Sequence, residues 1–219
     1  MIIINPPSIN ADQILSNVSI CSTAELVFEF INGLNFGLSY ESAIALYTGI
    51  VTDSGSFKYD LVSKKTHSIV SELLSFDINH GDIHRQLFDN NSVSRMKLLG
   101  RCLTTNFEIL SDYNTAFFYL GQHDLIQNDF KKGDTEGFVN MPLSLKGIVF
   151  SAFFVEYEDG IKISFRSKSH FDVNKFSRNH FNGGGHKNAA GGKITAMNLM
   201  KVIEYFKSTL EDYKNELNS

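Results

Sequence analysis

The chain has 219 residues, of which 42% are hydrophobic and 20% are charged, and its formal net charge is −4. This length predicts one large or two small domains, and two cysteines are too few for a disulfide framework. The N-terminus lacks a signal-peptide pattern and no stretch approaches the ~18 apolar residues of a membrane span, so we expect a cytoplasmic protein without a membrane partner.

Helix-capping residues predict a helical first half after an irregular start of about twenty residues. The run from Ser22 to Glu25 has the form of a capping box, in which a serine and a glutamate three residues later satisfy the first free N–H groups of a helix. Ser39 and Ser63 are the expected caps of a second and a third helix, and Asp82 is the expected cap of a short fourth helix.

Asp53 lies in a turn-forming segment, residues 49–57, directly after an apolar run. An aspartate in such a place commonly caps a helix or forms an Asx turn. The alternative is a metal ligand at the end of a buried element. His80 and His84 also have a spacing that metal sites use. However, a helix start at Asp82 separates them, and no third ligand is evident nearby.

The pattern changes in the second half of the chain. Residues 92–110 predict a longer helix that connects two domains, and residues 134–145 predict another helix. Residues 115–120 and 148–156 predict strands, and a turn at Gly160 joins the second of them to residues 161–167 as a hairpin. Asp172 is the expected cap of a short helix, a short strand is expected at 193–195, and an amphipathic helix is expected at 196–217.

The most unusual stretch is residues 182–192, Asn-Gly-Gly-Gly-His-Lys-Asn-Ala-Ala-Gly-Gly. Successive glycines allow positive φ and let another molecule approach the main chain closely. A run of small residues with free N–H groups can form an anion-binding concavity, and His186 and Lys187 add donors or charge at its rim. We call residues 182–192 the glycine box and interpret it as a site for an anionic ligand.

The charge around the glycine box supports this interpretation. Residues 160–193 contain seven Lys or Arg and a single acid, Asp172, so this window carries about +6 while the rest of the chain is near −10. Ordinary surface cations on a strand and helix, with glycines that merely form turns, are the structural alternative. The spacing excludes a P-loop, because Ile194 follows Gly192-Lys193. It also excludes the dinucleotide fingerprint, because Asn188 stands where a glycine is needed.

The pattern Gly-Gly-Gly-His-x-x-Ala-Ala-Gly-Gly resembles the signature of the domain that accompanies DHH-type phosphoesterases. The same module occurs at the C-terminus of alanyl-tRNA synthetases. Residues 135–140, 164–168 and 172–173 match this domain as well, and residues 22–27 and 48–57 resemble stretches of the DHH catalytic domain. The resemblance covers essentially the whole chain. It is closest to oligoribonuclease-type members, which degrade very short RNAs and often remove a phosphate from phosphoadenosine phosphate.

This resemblance implies an α/β protein in three parts. Residues 1–90 would be the helical C-terminal part of a DHH-type domain, and residues 91–111 would be a connecting helix. Residues 112–219 would form a smaller DHH-associated domain with a mixed sheet that binds nucleotide or nucleic acid. The resemblance also assigns the substrate-binding residues Arg166, Ser167, Gly183, Gly184, Gly185 and His186. Arginine offers paired donors to a phosphate, and histidine donates when protonated or in the right tautomer.

The sequence also departs from the family pattern, because it contains no Asp-His-His triplet and no upstream H-x-D-x-D-type cluster. In the family these motifs supply most ligands of a manganese pair, and Asp53 alone carries over as a metal ligand. Two ions are needed to activate water and to neutralise the leaving oxygen. We therefore expect a fragment or truncated form of a manganese-dependent phosphoesterase, with no catalytic residue assigned and manganese not held by this chain alone.

The alternative function is a non-catalytic module that binds a nucleotide or short RNA or DNA, as the synthetase relatives use this domain. The DHH motifs would separate the two functions. The sequence leaves a homodimer open.

Overall fold

The computed structural model of the chain describes residues 2–4, 13–15, 17, 19–168 and 170–219. These residues form two compact units, Met1–Asn90 and Asn91–Ser219. None of the helices in the described ranges is long and apolar enough to cross a bilayer.

The N-terminal unit is built mainly from helices. They are α1 (Thr23–Gly33), α2 (Tyr40–Asp53), α3 (Lys64–Leu74) and α4 (His80–Phe88). Their apolar faces meet in one core around Tyr47, Ile50 and Leu73. The start of the chain, expected to be irregular, contains a parallel pair of short strands, β1 (Ile2–Ile4) and β2 (Gln13–Leu15).

Three of the four predicted helix caps of this unit are confirmed. Ser22, Ser39 and Ser63 are the N-caps of α1, α2 and α3, and a full capping box forms at Ser63. At α1 the predicted capping box with Glu25 does not form, and the Ser22 hydroxyl accepts from the backbone N–H of Ala24. The fourth helix forms, but its predicted cap, Asp82, is wrong. The helix begins at His80 and its cap is Asn79, whose side chain accepts the N–H of Asp82 at 3.0 Å.

The C-terminal unit is a mixed six-stranded sheet with helices on both faces. Its strands are β3 (Phe107–Leu110), β4 (Thr115–Leu120), β5 (Phe150–Tyr157), β6 (Gly160–Ser167), β7 (Gly184–His186) and β8 (Ala189–Ile194). Their order in the sheet is β3-β4-β5-β6-β8-β7, and only the β4–β5 pairing is parallel. The helices of this unit are α5 (Val93–Thr104), α6 (Gln122–Gln127), α7 (Val173–His180), α8 (Leu199–Thr209) and α9 (Lys214–Leu217).

Three helix predictions in this unit are wrong in extent or type. The amphipathic helix expected at 196–217 begins at Leu199, and a 3-10 turn, Leu210–Tyr213, separates α8 from α9. The helix expected at residues 92–110 ends at Thr104, and the next residues form the edge strand β3, which pairs with β4. Residues 134–145 form short 3-10 turns, Phe138–Asn140 and Pro142–Ser144, in place of an α-helix. Gly137 has φ +81° and Pro142 lacks an N–H, so a continuous helix cannot pass through this segment.

The two faces of the sheet differ because side chains alternate along each strand. On the first face, Phe150 and Phe154 of β5 and Phe165 of β6 pack against Phe176 of α7 and Phe206 of α8. The second face carries Phe118 and Phe153, which pack against Leu98 of α5, Leu125 of α6 and Phe138. The positions of β6 that share this second face are Lys162, Ser164 and Arg166.

Candidate functional site

A cleft of about 350 Å³ lies on the second face of the sheet, beside β6. Its volume falls in the range of about 300–1,000 Å³ that is usual for small-molecule sites. Its walls come from β5, β6 and residues 135–139, which lead into the 3-10 turn Phe138–Asn140. The lining residues are Thr135, Glu136, Gly137, Val139, Phe153, Val155, Tyr157, Lys162, Ser164 and Arg166.

The cleft has a cationic side and an apolar side. Lys162 and Arg166 stand two positions on either side of Ser164, so alternation puts all three on one face of β6. Arg166 is half-buried, and its Nη1 donates to the carbonyl of Phe165 at 2.9 Å, which fixes the side chain against the strand. Phe153 and Val155 on β5 supply the apolar floor. This combination suits a ligand with an anionic group and a flat apolar part.

Tyr157 closes one end of the apolar side. It is half-buried, and burial raises the pKa of its hydroxyl above the usual value of 10.0, against the effect of a hydrogen bond with Thr135. The phenol therefore stays neutral at physiological pH and offers a hydrogen-bonding group next to a ring face.

Residues outside the cleft hold its wall in place. The Nη1 of Arg95 donates to the carbonyls of Asp134 and Glu136, each at 2.8 Å, and its guanidinium lies 4.8 Å from the ring centroid of Phe138. The Asp134 carboxylate accepts from the hydroxyl of Ser92 at 2.7 Å and from the N–H of Lys131 at 2.8 Å. The Ser92 hydrogen bond, together with the Lys131 contact and nearby cations, lowers the pKa of Asp134 below 3.8.

The glycine box forms a β-hairpin at the edge of the same sheet. Its first arm is β7, the edge strand, and its second arm is β8, which pairs with β6. Arg166 stands opposite Ala189, and Ala189 stands opposite His186, so Arg166 and His186 occupy one cross-strand row. With neighbouring strands about 4.8 Å apart, the two backbones are separated by about 10 Å. The structure thus brings two of the predicted ligand residues into one row.

Close packing explains three glycines of the box. A Cβ on Gly183 would lie 1.8 Å from the carbonyl oxygen of Gly191, and one on Gly192 would lie 2.5 Å from that of Phe181. Gly185 has φ +156°, and its Cβ would lie 2.4 Å from the carbonyl oxygen of Ala189. Gly184 differs, because a Cβ there would meet only side chains, the nearest being Nε of Arg178 at 3.4 Å.

The N–H groups of the box also have partners within the protein. Gly183 donates to the carbonyl of Ser177 at 3.3 Å, and Gly185 donates to Oδ1 of Asn174 at 2.9 Å. The glycine box was expected to offer free N–H groups to an anion. At Gly183 and Gly185 this is wrong, because both N–H groups are already hydrogen-bonded within the protein. Anion contacts at the hairpin then depend on side chains, of which His186 is exposed.

Ser167 lies apart from the other predicted ligand residues. It follows Arg166 on β6, so it points to the opposite face, and it is 8% exposed. Its hydroxyl donates to the carbonyl of Phe171 at 2.7 Å and accepts from the side-chain amide of Asn188 at 2.9 Å. These contacts hold the segment before α7 against the hairpin.

Asp53 belongs to the N-terminal unit, where it is the last residue of α2 and is exposed. The hydroxyl of Ser22 donates to its Oδ2 at 2.9 Å. The turn after it contains three consecutive residues with positive φ, Gly55, Ser56 and Phe57. Within the described residues no group of three or more His, Cys, Asp or Glu could hold a metal. A metal bound at Asp53 would therefore need further ligands, and we derive no metal-dependent step.

His80 and His84 both lie on α4, and the Nε2 of His84 is 3.2 Å from the hydroxyl of Tyr47. The ring of His84 also lies 5.5 Å from that of Phe88, between centroids. These contacts give His84 a packing role in the N-terminal unit.

Several residues of the cleft were not predicted. Lys162 and Ser164 could have been found from alternation, because residues 161–167 read apolar and polar in turn, and this pattern puts them on the face of Arg166. Thr135 and Tyr157 could not, because their approach to Arg166 depends on how distant segments pack.

Residues 113–212 match the DHHA1 domain family. Over 186 residues the chain is 28% identical to the bifunctional oligoribonuclease and PAP phosphatase NrnA of Bacillus subtilis, and this covers 84% of the chain and 58% of that protein. It is 32% identical over 172 residues to the probable bifunctional oligoribonuclease and PAP phosphatase NrnA of Streptococcus mutans, covering 78% of the chain and 54% of that protein. The chain thus spans little more than half the length of these curated relatives.

A solved structure is similar over nearly the whole chain. The crystal structure of an exopolyphosphatase-related protein from Bacteroides fragilis has a TM-score of 0.92 and 39% sequence identity. The match covers 95% of this chain and 62% of that one.

Proposed function

Because residues 113–212 match the DHHA1 domain family, we propose that the chain is the substrate-binding part of a DHH-type phosphoesterase. Its proposed substrates are short oligoribonucleotides or phosphoadenosine phosphate. The names of the NrnA relatives support this substrate class.

The observation that carries the proposal is the cleft beside β6. Lys162 and Arg166 offer a cationic side for a phosphate, and Phe153 and Val155 offer an apolar floor for a base. His186 shares the cross-strand row of Arg166, about 10 Å away along the sheet. A nucleotide with two phosphates, or a dinucleotide, has its charges spread over a comparable distance. We therefore assign one phosphate to Arg166 and a second to His186.

Titration calorimetry of the 219-residue chain with phosphoadenosine phosphate and with a diadenylate tests this assignment. Loss of charge-assisted hydrogen bonds in the variant Arg166→Ala, His186→Ala should weaken binding about 10- to 100-fold. Binding by the wild type should weaken as salt rises, since phosphate contacts displace counterions. Equal affinity of the variant and the wild type would overturn the assignment of these two residues.

Lys201→Ala is the matched control. Lys201 is an exposed cation on α8, which packs on the first face of the sheet. Its loss changes the net charge by one, as does Arg166→Ala alone, and should change the affinity by less than about twofold. If Lys201→Ala weakened binding as much as Arg166→Ala, the attraction would be a diffuse charge effect.

The proposal also concerns hydrolysis, which we expect to depend on manganese. Asp53 is the carboxylate that the family resemblance assigns to metal, and the described residues provide no complete ligand set around it. We expect the 219-residue chain to bind substrate with little turnover. Release of mononucleotide from a diribonucleotide in excess manganese is the assay. Robust turnover that Asp53→Ala abolishes would contradict this expectation.

A non-catalytic binding module is the second candidate function. The observation that favours it is the cleft itself, in which Lys162 and Arg166 can bind phosphate without a metal. The two functions differ in the hydrolysis assay when a protein segment containing an Asp-His-His motif is supplied. Gain of manganese-dependent turnover supports the phosphoesterase, and unchanged binding without turnover supports the module.

A further inference from the structure

Arg178 is a cation of the hairpin region to which the family resemblance gives no role. It lies on α7, the helix that covers the first face of the sheet, and its side chain reaches the edge strand β7. Its Nε donates to Oδ1 of Asn174 at 3.0 Å. A Cβ on Gly184 would lie 3.4 Å from this Nε and 3.7 Å from Nη2. The guanidinium therefore rests against the backbone of Gly184.

Asn174 holds this guanidinium and the hairpin together. The same Oδ1 atom accepts from Arg178 and from the N–H of Gly185, at 3.0 and 2.9 Å. An arginine fixed through Nε loses less side-chain entropy when its two Nη groups bind a ligand.

The surroundings of Arg178 are cationic. The single acid of residues 160–193 is Asp172, and its Oδ1 accepts the N–H groups of Asn174 and Lys175 as the cap of α7. Among the described residues, Arg178 makes its hydrogen bond to a neutral amide and forms no ion pair. An exposed guanidinium without a carboxylate partner, beside a backbone that has no side chain, suits an anionic group.

Arg178 and Arg166 lie at opposite sides of the hairpin within the sheet. Arg166 is on β6, which pairs with β8, whereas α7 contacts β7 and presents Arg178 at the outer edge of this strand. With Arg166 and His186 assigned to the phosphates of a short ligand, the outer edge of β7 is left for a chain of several nucleotides.

We propose that Arg178, positioned by Asn174, binds a further phosphate of an oligonucleotide at the outer edge of β7. This rests on the proposed function, because it adds a third phosphate contact to those assigned to Arg166 and His186. Its consequence is that affinity depends on the length of the ligand. The alternative is that Arg178 only covers an edge strand and prevents its pairing with other chains.

Binding of a diadenylate and of a pentaadenylate to the 219-residue chain tests the proposal. Arg178→Ala should weaken pentaadenylate binding about tenfold, and should change diadenylate binding by less than about twofold. Lys175→Ala, which removes another exposed cation of α7, is the matched control and should leave both affinities within about twofold. No loss in Arg178→Ala, or equal losses for both ligands, would overturn the proposal.

Asn174→Asp separates binding from structure. The aspartate keeps an oxygen acceptor for Gly185 and Arg178, but its charge offsets the guanidinium. We expect an unchanged melting temperature and weaker pentaadenylate binding, with no additional loss when Arg178→Ala is also present. If Asn174→Asp bound pentaadenylate like the wild type, the charge of Arg178 would not be what binds the phosphate, and the proposal would be refuted. If the wild type bound neither ligand, the proposed function itself would fail.

Discussion

The two faces of β6 serve different purposes although their residues alternate in one strand. Ile161, Ile163 and Phe165 are buried in the aromatic core between the sheet, α7 and α8. Lys162, Ser164 and Arg166 line the cleft on the other face. Helices cover the first face of β6, whereas the packed core of the second face draws on β4, β5 and Phe107 of β3.

This difference indicates where stability and binding can be separated. A residue of the first face is surrounded by rings, so its loss leaves a cavity that affects the whole unit. A residue of β6 on the second face borders the cleft, so its loss changes the ligand site and little else. Substitutions on the two faces should therefore differ in their effects on stability and on binding.

Phe165→Ala should have the largest effect. Phe165 is fully buried and its ring contacts those of Phe150, Phe176 and Phe181 at centroid distances of 5.1–5.8 Å. The substitution should reduce the free energy of unfolding by about 3–5 kcal/mol, measured by urea denaturation. Ser164→Ala, on the opposite face, should stay within about 0.5 kcal/mol. Similar losses in the two variants would mean that the faces are not energetically distinct.

Gly183→Ala should be the next largest. The new Cβ would overlap the carbonyl oxygen of Gly191 and crowd the hydroxyl of Ser177, at 1.8 and 2.4 Å. Overpacking of this kind costs about 1–3 kcal/mol, and it would separate the hairpin from α7. Gly184→Ala is the matched control, since its Cβ would meet side chains and no backbone atom, the nearest being Nε of Arg178 at 3.4 Å. Equal denaturation midpoints for Gly183→Ala and Gly184→Ala would refute the steric explanation of the box.

Arg95→Ala should act mainly on the second face. It removes two hydrogen bonds to the carbonyls of Asp134 and Glu136 and the contact with Phe138. We expect a loss of about 1–2 kcal/mol, faster amide hydrogen exchange at residues 134–139, and weaker binding of phosphoadenosine phosphate. Lys97→Ala, an exposed cation on the same helix, is the control. Unchanged exchange at 134–139 in Arg95→Ala would show that this arginine does not hold the wall.

Protonation of Asp134 at low pH should weaken the same wall of the cleft, with the smallest expected loss of stability among these predictions. Hydrogen bonds, first that from Ser92, lower the pKa of Asp134 below 3.8. A depressed carboxyl pKa stabilises the folded state above the unfolded value, and this stabilisation disappears as the pH falls through the folded value. Between pH 5 and pH 3 the wild type should therefore lose more of its melting temperature than Asp134→Asn. A steeper decline in Asp134→Asn would contradict this assignment.

The local pattern of the sequence was sufficient for several elements. β4 covers residues 115–120 as predicted, and the β5–β6 hairpin pairs Tyr157 with Gly160. Asp172 caps α7 through the N–H groups of Asn174 and Lys175. These features depend on residues close in sequence, whose caps, turns and alternation carry their own signal. Arg166 and His186 were assigned through the family resemblance, Arg166 by residues 164–168 and His186 by the glycine box.

Other features depend on distant partners. Phe107 continues the helical spacing of α5, yet residues 107–110 form β3 because Phe107 pairs with Phe118 and packs on its ring at 4.8 Å. Asn106 is buried there, and its amide donates to Asp124 of α6 at 2.9 Å. Apolar periodicity is read over a short stretch of sequence and cannot reveal a partner strand farther along the chain, so it favoured a helix here.

The sequence by itself indicated the DHH-associated domain, the mixed α/β class and the basic motif near the C-terminus. Only the tertiary structure decided that the glycine box is a hairpin whose Gly183 and Gly185 amides are already paired, and that Ser167 faces away from Arg166. It also decided that Thr135 and Lys162 share a cleft. The physical reason is that the sequence fixes which hydrogen-bonding groups and charges each residue has. Which groups remain available depends on the packing of segments far apart in the chain.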